Sequence, residues 1–144
     1  MAIIRKLSWE DILLFSDQLA DKIRDSGVEI DMLIGLARGG WIPTRLLSDR
    51  LNVKEIASIG IGYEDEARTK LKAYALPGLA RTGLKVLLIE DRLESGKSLR
   101  KAFEILCEQG AAVKTAAYFS RTDSVMTPDY CLGQTNDDII FPWE

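Results

Sequence analysis

The chain has 144 residues, of which 47% are apolar and 28% are charged. A chain of this size buries about 70% of its unfolded surface in one core, so we expect one domain over residues 1–144. A net charge of -3 lacks the basic field that holds nucleic acid, the apolar runs are shorter than the roughly 20 residues that cross a bilayer, and Met1–Leu7 has no signal-peptide character. We therefore expect a cytoplasmic protein with neither nucleic acid nor membrane as partner.

The sequence contains no histidine and two cysteines. The absence of histidine excludes Ser-His-Asp and Cys-His nucleophiles and the zinc sites that use imidazole. Cys107 and Cys131 show no C-x-x-C spacing, so both are predicted to be reduced thiols. Acid–base chemistry must therefore fall to carboxylates, lysine or tyrosine.

An amphipathic helix is predicted near the start of the chain. Ser8 is a candidate N-cap, followed by the acidic residues Glu10 and Asp11, and Gly27 closes the segment. The apolar residues at helical spacing are Trp9, Ile12, Phe15, Leu19 and Ile23.

Two strand–loop–helix units follow. In the first, over Met32–Gly62, a strand (Met32–Ala37) precedes Arg38-Gly39-Gly40, a helix opens at Pro43, and a second strand covers Glu55–Gly62. The second unit has a strand at Lys85–Ile89, a polar loop at Asp91–Gly96, a helix that ends at Gly110 with Leu99, Ala102, Phe103, Leu106 and Cys107 on one face, and a returning strand at Val113–Phe119. Between the units, the charged stretch Tyr63–Thr82 has little apolar periodicity and is predicted to be a long mobile excursion.

This alternation predicts an α/β fold with a mostly parallel central sheet flanked by helices on both faces. Ligands of such folds bind at the carboxyl ends of the strands. That rule selects two loops, Arg38–Gly40 and Glu90–Ser98, where a strand ends, glycine appears and a helix begins.

The loop Glu90–Ser98 combines two adjacent carboxylates with a Ser-Gly-Lys-Ser turn at a helix start. Backbone N–H groups, hydroxyls and the helix dipole at the turn suit a phosphate monoester. Ionised Glu90 and Asp91 accept hydrogen bonds, so they suit ribose hydroxyls or a hydrated magnesium ion carried by a polyphosphate. A nucleoside triphosphate loop is excluded because Asp91 stands where that motif needs glycine. The alternative is that the acidic residues only stabilise a helix N-terminus.

Val86–Ser98 resembles the signature of the type I phosphoribosyltransferases: an apolar strand, two acidic residues, a spacer, then Thr or Ser, Gly, any residue, and Thr or Ser. The resemblance covers nearly the whole chain and is nearest to the short xanthine-guanine and hypoxanthine enzymes of bacteria and archaea. It implies a small C-terminal hood over the base. Further landmarks are Ser8–Asp11, Gly35–Pro43, Tyr63–Glu66 and Phe141–Glu144.

The resemblance implies transfer of 5-phosphoribosyl from phosphoribosyl pyrophosphate to a 6-oxopurine, with Mg²⁺ as cofactor. Arg38 and Gly39 would hold the pyrophosphate, with a cis peptide at Ala37–Arg38, and Glu90 and Asp91 would contact the ribose hydroxyls and, through the pyrophosphate, the metal. The implied catalytic residues are Glu90, Asp91 and Glu94. The implied substrate-binding residues are Arg38, Gly39, Glu90, Asp91, Glu94, Ser95, Gly96, Lys97, Ser98, Arg121 and Ile139.

Four positions in the base half depart from the family pattern. Glu94 stands where related enzymes have an aspartate proposed to manage the proton on N7, and Arg121 replaces a lysine. Asp138, next to Ile139, replaces a tryptophan that covers the purine. Arg92 replaces an aliphatic residue and is expected to point to solvent.

These departures leave three hypotheses open: a 6-oxopurine phosphoribosyltransferase, a non-catalytic module that binds nucleotide or phosphoribosyl pyrophosphate, and a phosphoribosyltransferase for another nitrogen base. The resemblance also implies a homodimer or higher homo-oligomer, and a flap at Tyr63–Lys72 that closes over the site. Trp9, Trp41 and Trp143 are interpreted as packing or subunit-contact residues.

Overall fold

The computed structural model describes residues 3–144. The prediction for Met1–Leu7 therefore falls partly outside the described residues. In chain order the elements are β1 (Ile4–Lys6), α1 (Trp9–Asp25), β2 (Met32–Leu36), α2 (Trp41–Leu51), β3 (Ile56–Tyr63), β4 (Leu71–Ala75), β5 (Lys85–Ile89), β6 (Arg92–Leu93), α3 (Lys97–Glu108), β7 (Ala112–Ala116), β8 (Phe119–Ser120), β9 (Gly133–Gln134) and β10 (Asp138–Ile140).

The central sheet has five strands in the order β4-β3-β2-β5-β7. The pairs β3–β2, β2–β5 and β5–β7 are parallel, and only the edge strand β4 is antiparallel. Strand β5 is an interior strand between β2 and β7, and its residues Val86, Leu87, Leu88 and Ile89 are all buried, which is why its sequence is a continuous apolar run rather than an alternating one.

Helices cover both faces of this sheet, as predicted. On one face Leu87 and Ile89 pack in a core with Ile12 and Leu19 of α1 and Leu47 of α2. On the other face the alternate side chains of β5, including Leu88, pack against α3. The two-residue period of the strand therefore divides its side chains between two cores.

The first helix confirms its predicted start. The hydroxyl of Ser8 accepts a hydrogen bond from the Asp11 N–H at 3.1 Å, and the Asp11 carboxylate accepts one from the Ser8 N–H at 2.8 Å. This reciprocal pair provides hydrogen-bond acceptors for two N–H groups that have no carbonyl partner within the helix. Gly27 adopts a φ of 73° just after the helix, as its closing role requires.

A smaller layer lies beside the carboxyl ends of the central strands. It consists of a three-stranded parallel sheet in the order β6-β8-β9 and a parallel pair of β1 with β10. The C-terminal strand thus returns to the N-terminal one, and the segment 138–144 lies beside the loop that follows β5. This layer corresponds to the predicted C-terminal hood in position.

Several predicted boundaries were wrong. The returning strand Val113–Phe119 is divided into β7 and β8, which belong to different sheets, and Tyr118 between them is buried with its hydroxyl 2.7 Å from that of Ser16. Helix α2 begins at Trp41, so Pro43 lies within its first turn rather than at its opening. The stretch Tyr63–Thr82 contains strand β4, and Cys107 on α3 is exposed.

None of the helices found in residues 3–144 has the length and apolar character needed to span a membrane.

Candidate functional site

The two loops selected from the sequence lie together at the carboxyl edge of the central sheet. Strands β2 and β5 are hydrogen-bonded neighbours, so the loops that follow them meet in space. They line a cavity of about 700 Å³, which we call the main cavity. The predicted residues on its lining are Arg38, Gly39, Glu90, Asp91, Glu94, Ser95, Gly96 and Ser98.

The loop after β2 lies directly against the loop after β5. Its Ala37–Arg38 peptide is cis, as expected from the resemblance. A Cβ on Gly39 would lie 2.6 Å from an oxygen of the Asp91 carboxylate, so this close approach requires glycine. Arg38 is exposed beside this contact, with its cation at the rim of the main cavity.

The turn after β5 is constructed around a glycine in the left-handed conformation. Gly96 has a φ of 78° and stands at the N-terminus of α3, which begins at Lys97 as the Ser-Gly-Lys-Ser pattern predicts. The Ser95 carbonyl oxygen accepts a hydrogen bond from the Val125 N–H at 2.8 Å, which fixes the turn against a neighbouring loop. First-turn amides and the helix dipole therefore face the main cavity beside the Ser95 and Ser98 side chains.

The two adjacent carboxyl groups, Glu90 and Asp91, both have a pKa above the usual value for their residue type. Burial raises the pKa of Glu90 to about 8, and the charges of Asp91 and Glu94 add to the rise. Burial also raises the pKa of Asp91, although hydrogen bonds from the Arg92 N–H and from Trp143 lower it in part. In the ligand-free site Glu90 is therefore largely protonated at neutral pH and offers a hydrogen-bond donor as well as acceptors.

This shift predicts a dependence of stability on pH. The unfolded chain releases the Glu90 proton near pH 4.5 and the folded chain near pH 8, so the contribution to stability is fully present below the lower value and is lost as the pH rises to the upper one. Glu90→Gln should raise the free energy of unfolding at alkaline pH by as much as about 5 kcal/mol and flatten its pH profile in this window. Urea unfolding of both proteins across the window measures the effect, and parallel profiles would contradict the assigned pKa.

A tryptophan of the C-terminal segment holds Asp91 from the other side. Trp143 Nε1 donates to Asp91 Oδ2 at 3.3 Å, and the Arg92 N–H donates to Asp91 Oδ1 at 2.6 Å. The Trp143 ring stacks on Phe141, with centroids 4.8 Å apart and an interplanar angle of 7°. The Phe141–Glu144 landmark thus contributes Trp143 and Glu144 to the site. Its residue types alone did not indicate this role.

The prediction for Arg92 was wrong, because the side chain does not point to solvent. Only 24% of it is exposed, and it donates to the backbone carbonyl oxygen of Ile139. Its second amino nitrogen lies 3.1 Å from a Glu94 oxygen and 3.4 Å from a Glu144 oxygen. Sequence alone did not indicate these partners, since two of them are about 50 residues away along the chain.

Three predicted residues lie outside the main cavity. Arg121 and Ile139 line a separate cavity of about 20 Å³, together with Asp138, and we call it the small cavity. Arg121 also lines a separate hollow with Lys97, which is not on the lining of the main cavity. The base half of the predicted site is thus brought together, but its cavity is small.

The predicted flap contributes to the main cavity from the opposite rim. Tyr63 and Arg68 line it, and the Arg68 guanidinium lies 4.7 Å from the centroid of the Tyr63 ring. Asp65 shapes the turn by accepting hydrogen bonds from the Thr69 and Lys70 N–H groups at 3.0 Å each. Strands β3 and β4 therefore form a hairpin whose tip is ordered by Asp65.

The fold and the site together define a class of protein. It is an α/β domain with helices on both faces of a mostly parallel sheet, and it has an acidic pair and an anion-binding turn at the carboxyl ends of its central strands. The model of the family described as "Phosphoribosyl transferase domain" matches residues 7–144. The chain belongs to this phosphoribosyl transferase family. That the domain extends over all of residues 1–144 stays a prediction.

Known proteins similar to this chain differ in the base that their names state. The crystal structure of a purine phosphoribosyltransferase from Pyrococcus horikoshii has 28% identity, a TM-score of 0.87 and coverage of 98% of this chain and 93% of that one. A xanthine-guanine phosphoribosyltransferase of Desulfotalea psychrophila is 24% identical, over 96% of this chain and 84% of its own length. An orotate phosphoribosyltransferase of Listeria innocua is 33% identical over 66% of this chain, and the match spans only 43% of that enzyme.

Proposed function

We propose that this protein is a phosphoribosyltransferase that transfers 5-phosphoribosyl from phosphoribosyl pyrophosphate to a 6-oxopurine and releases pyrophosphate. The observation that carries the proposal is the meeting of the two loops, which puts the Glu90–Asp91 pair, the turn at Gly96 and Arg38 around one cavity. These features match the three parts of that donor. The helix start suits the 5-phosphate, the carboxylates suit the ribose hydroxyls, and the Arg38 cation suits the pyrophosphate. The similarity to purine enzymes over nearly the whole chain supports the purine.

The roles follow from position. Ser95 to Ser98 would bind the 5-phosphate, Glu90 and Asp91 the ribose hydroxyls, and Arg38 with the Gly39 amide the pyrophosphate. As the bond from the anomeric carbon to pyrophosphate breaks and a bond to one base nitrogen forms, the base loses the proton that it carries on N7. Glu94, with an exposed carboxylate at the edge of the main cavity, is the candidate acceptor of this proton.

These roles require no protein nucleophile, which agrees with the absence of histidine. The residues hold the two reactants in line and neutralise charge, and both effects lower the barrier of such a transfer. The carbocation-like transition state would be stabilised by negative charge on the Glu90–Asp91 pair. Ligand binding would thus favour the ionised form of Glu90, against the effect of burial.

We propose magnesium as the cofactor. Among residues 3–144 there is no group of three or more acidic, cysteine or histidine side chains able to hold a metal ion. Glu90 and Asp91 alone fit an ion that takes most of its oxygen ligands from pyrophosphate and water, a mode that magnesium favours. When bound, the ion would neutralise charge on the departing pyrophosphate.

A second candidate is a non-catalytic module that binds nucleotide or phosphoribosyl pyrophosphate. The specific observation in its favour is the small cavity, whose volume of about 20 Å³ is too small for a base. A third is transfer to another nitrogen base, which the similarity to orotate enzymes supports.

An acceptor screen tests these candidates together. We expect incubation with phosphoribosyl pyrophosphate, magnesium and guanine, xanthine or hypoxanthine to yield the matching nucleotide and pyrophosphate by mass spectrometry, and excess chelator to abolish the product. Orotate is the parallel arm for another base. Nucleotide from orotate alone would identify the third candidate, and tight donor binding by calorimetry without product from any base would favour the second.

A further inference from the structure

Arg92 stands between two cavities of very different size. Its side chain and that of Glu94 line both the main cavity, of about 700 Å³, and the small cavity, of about 20 Å³. One water molecule needs about 10–15 Å³ of such space, so the small cavity has room for about one and is too small for a base. Arg92 therefore lies where the two cavities are adjacent.

Four groups from two parts of the chain, Glu94 and the C-terminal segment 138–144, contact this guanidinium. It donates to the Ile139 carbonyl oxygen and pairs with Glu94 at 3.1 Å and Glu144 at 3.4 Å, and its central carbon lies 5.7 Å from the centroid of the Phe141 ring. The two carboxylates are 64% and 38% exposed, and exposed ion pairs contribute little. The bond to the partly enclosed backbone oxygen and the contact with the aromatic ring therefore do most to hold the side chain.

The lining of the small cavity suits the edge of a planar nitrogen heterocycle. It offers the carboxylate of Asp138, the guanidinium of Arg121 and the aromatic side chain of Phe119. Beside them lies the Ile139 carbonyl oxygen, an acceptor that Arg92 already occupies. A ring N–H or amino group is the chemical equivalent of the guanidinium N–H at that oxygen.

We propose that Arg92 is the residue that determines which acceptors this site takes. A base gains its subsite only by displacing the guanidinium from the Ile139 carbonyl oxygen, which joins the two cavities. The bases that succeed carry an N–H donor in position to replace the one that is lost. This inference rests on the proposed function, because it concerns the acceptor half of the same site.

The test compares two ligands that share a sugar phosphate and differ by a base. Ribose 5-phosphate and inosine 5′-monophosphate are titrated calorimetrically into wild type and Arg92→Leu. Removal of the competing donor should raise the affinity for the nucleotide about tenfold, which is the effect of one net hydrogen bond, and change that for ribose 5-phosphate less than about twofold. In the acceptor screen, the same variant should show a lower KM for the base and an unchanged KM for the donor.

Matched variants separate this role from a structural one. Arg50 is similarly enclosed, at 22% exposed, and it pairs with Asp17 at 2.6 Å and donates to the Leu46 carbonyl oxygen, but it does not line either cavity. Arg50→Leu should leave both affinities unchanged. Arg92→Met, which keeps the unbranched stem, should reproduce the gain even if leucine impairs folding, and Arg92→Lys, which retains a donor, should stay near wild type.

Each outcome decides between the two proposals. Equal binding of ribose 5-phosphate by all variants with no gain for the nucleotide in Arg92→Leu or Arg92→Met would overturn the role of Arg92 and leave the sugar-phosphate site intact. An equal gain in Arg92→Lys would overturn it as well, since the donor would then be irrelevant. Absence of ribose 5-phosphate binding in wild type would overturn the proposed function itself and the inference with it.

Discussion

Asp91→Asn is expected to weaken binding of phosphoribosyl pyrophosphate about a hundredfold, since hydrogen bonds to a charged group contribute about 1.5–3 kcal/mol. Asp91 is only 8% exposed and lines the main cavity, and its carboxylate accepts hydrogen bonds from Trp143 and from the Arg92 N–H. An asparagine has one acceptor oxygen, so its NH₂ group must face one of these donors. The side chain then turns, and the negative charge offered to the ribose hydroxyls is lost.

The effect of this substitution on folding should be smaller, about 1 kcal/mol, because two contributions oppose each other. One buried donor loses its partner, which destabilises the protein. Burial raises the pKa of Asp91, so a neutral side chain removes the cost of keeping a charge there. Calorimetry with the donor and urea unfolding measure the two effects separately.

Asp129→Asn is the matched control for this prediction. The Asp129 carboxylate also accepts a backbone hydrogen bond, from the Thr115 N–H at 2.8 Å, but it is not on the lining of the main cavity. It should lower stability without changing donor affinity. An unchanged affinity in Asp91→Asn, together with a lowered Tm, would show that Asp91 serves the fold rather than the ligand.

Gly40→Ala is expected to lower the free energy of unfolding by about 3 kcal/mol, at the upper end of the usual cost of overpacking. A Cβ at this position would lie 2.8 Å from the Leu36 carbonyl oxygen and closer still to the Ile89 carbonyl oxygen. Both are backbone atoms of the central strands β2 and β5, which cannot rotate away as a side chain can. The Gly40 N–H also donates to the Leu36 carbonyl oxygen at 2.8 Å, so any shift breaks this bond too.

Urea unfolding of Gly40→Ala measures this cost, and Gly78→Ala is the control. Gly78 is exposed, and a Cβ there would have no atom within 4 Å. Its substitution should change stability by less than about 0.5 kcal/mol. Equal stability of the two variants would show that the contact between the loop after β2 and strand β5 is looser than the structure indicates.

Local patterns were sufficient to predict much of the framework. The run Val86–Ile89 predicted a strand buried on both faces, Ser8 and Asp11 predicted the start of α1, and Gly96 predicted the turn before α3. The same patterns identified the two loops that line the main cavity. Each of these signals depends on residues close in sequence, where capping, glycine conformation and strand periodicity act.

The division of the predicted strand Val113–Phe119 could not be found in this way. Because Ala116, Ala117, Tyr118 and Phe119 are all buried, the apolar pattern of this stretch is the one expected for a continuous strand. Only the pairing shows that β7 belongs to the central sheet and β8 to the small one. Apolar periodicity reports burial, whereas the choice of partner strand depends on the whole sheet.

The sequence by itself determined the α/β class, the order of its units and the composition of the loop Glu90–Ser98, because these depend on short-range backbone preferences. Only the tertiary structure decided that Trp143 donates to Asp91 and that Arg92 donates to the Ile139 carbonyl oxygen beside the small cavity. These contacts join residues about 50 positions apart, and the pKa of Glu90 likewise follows from what the fold packs around it. Burial and long-range contacts are properties of the folded chain, so a local sequence pattern is not sufficient to predict them.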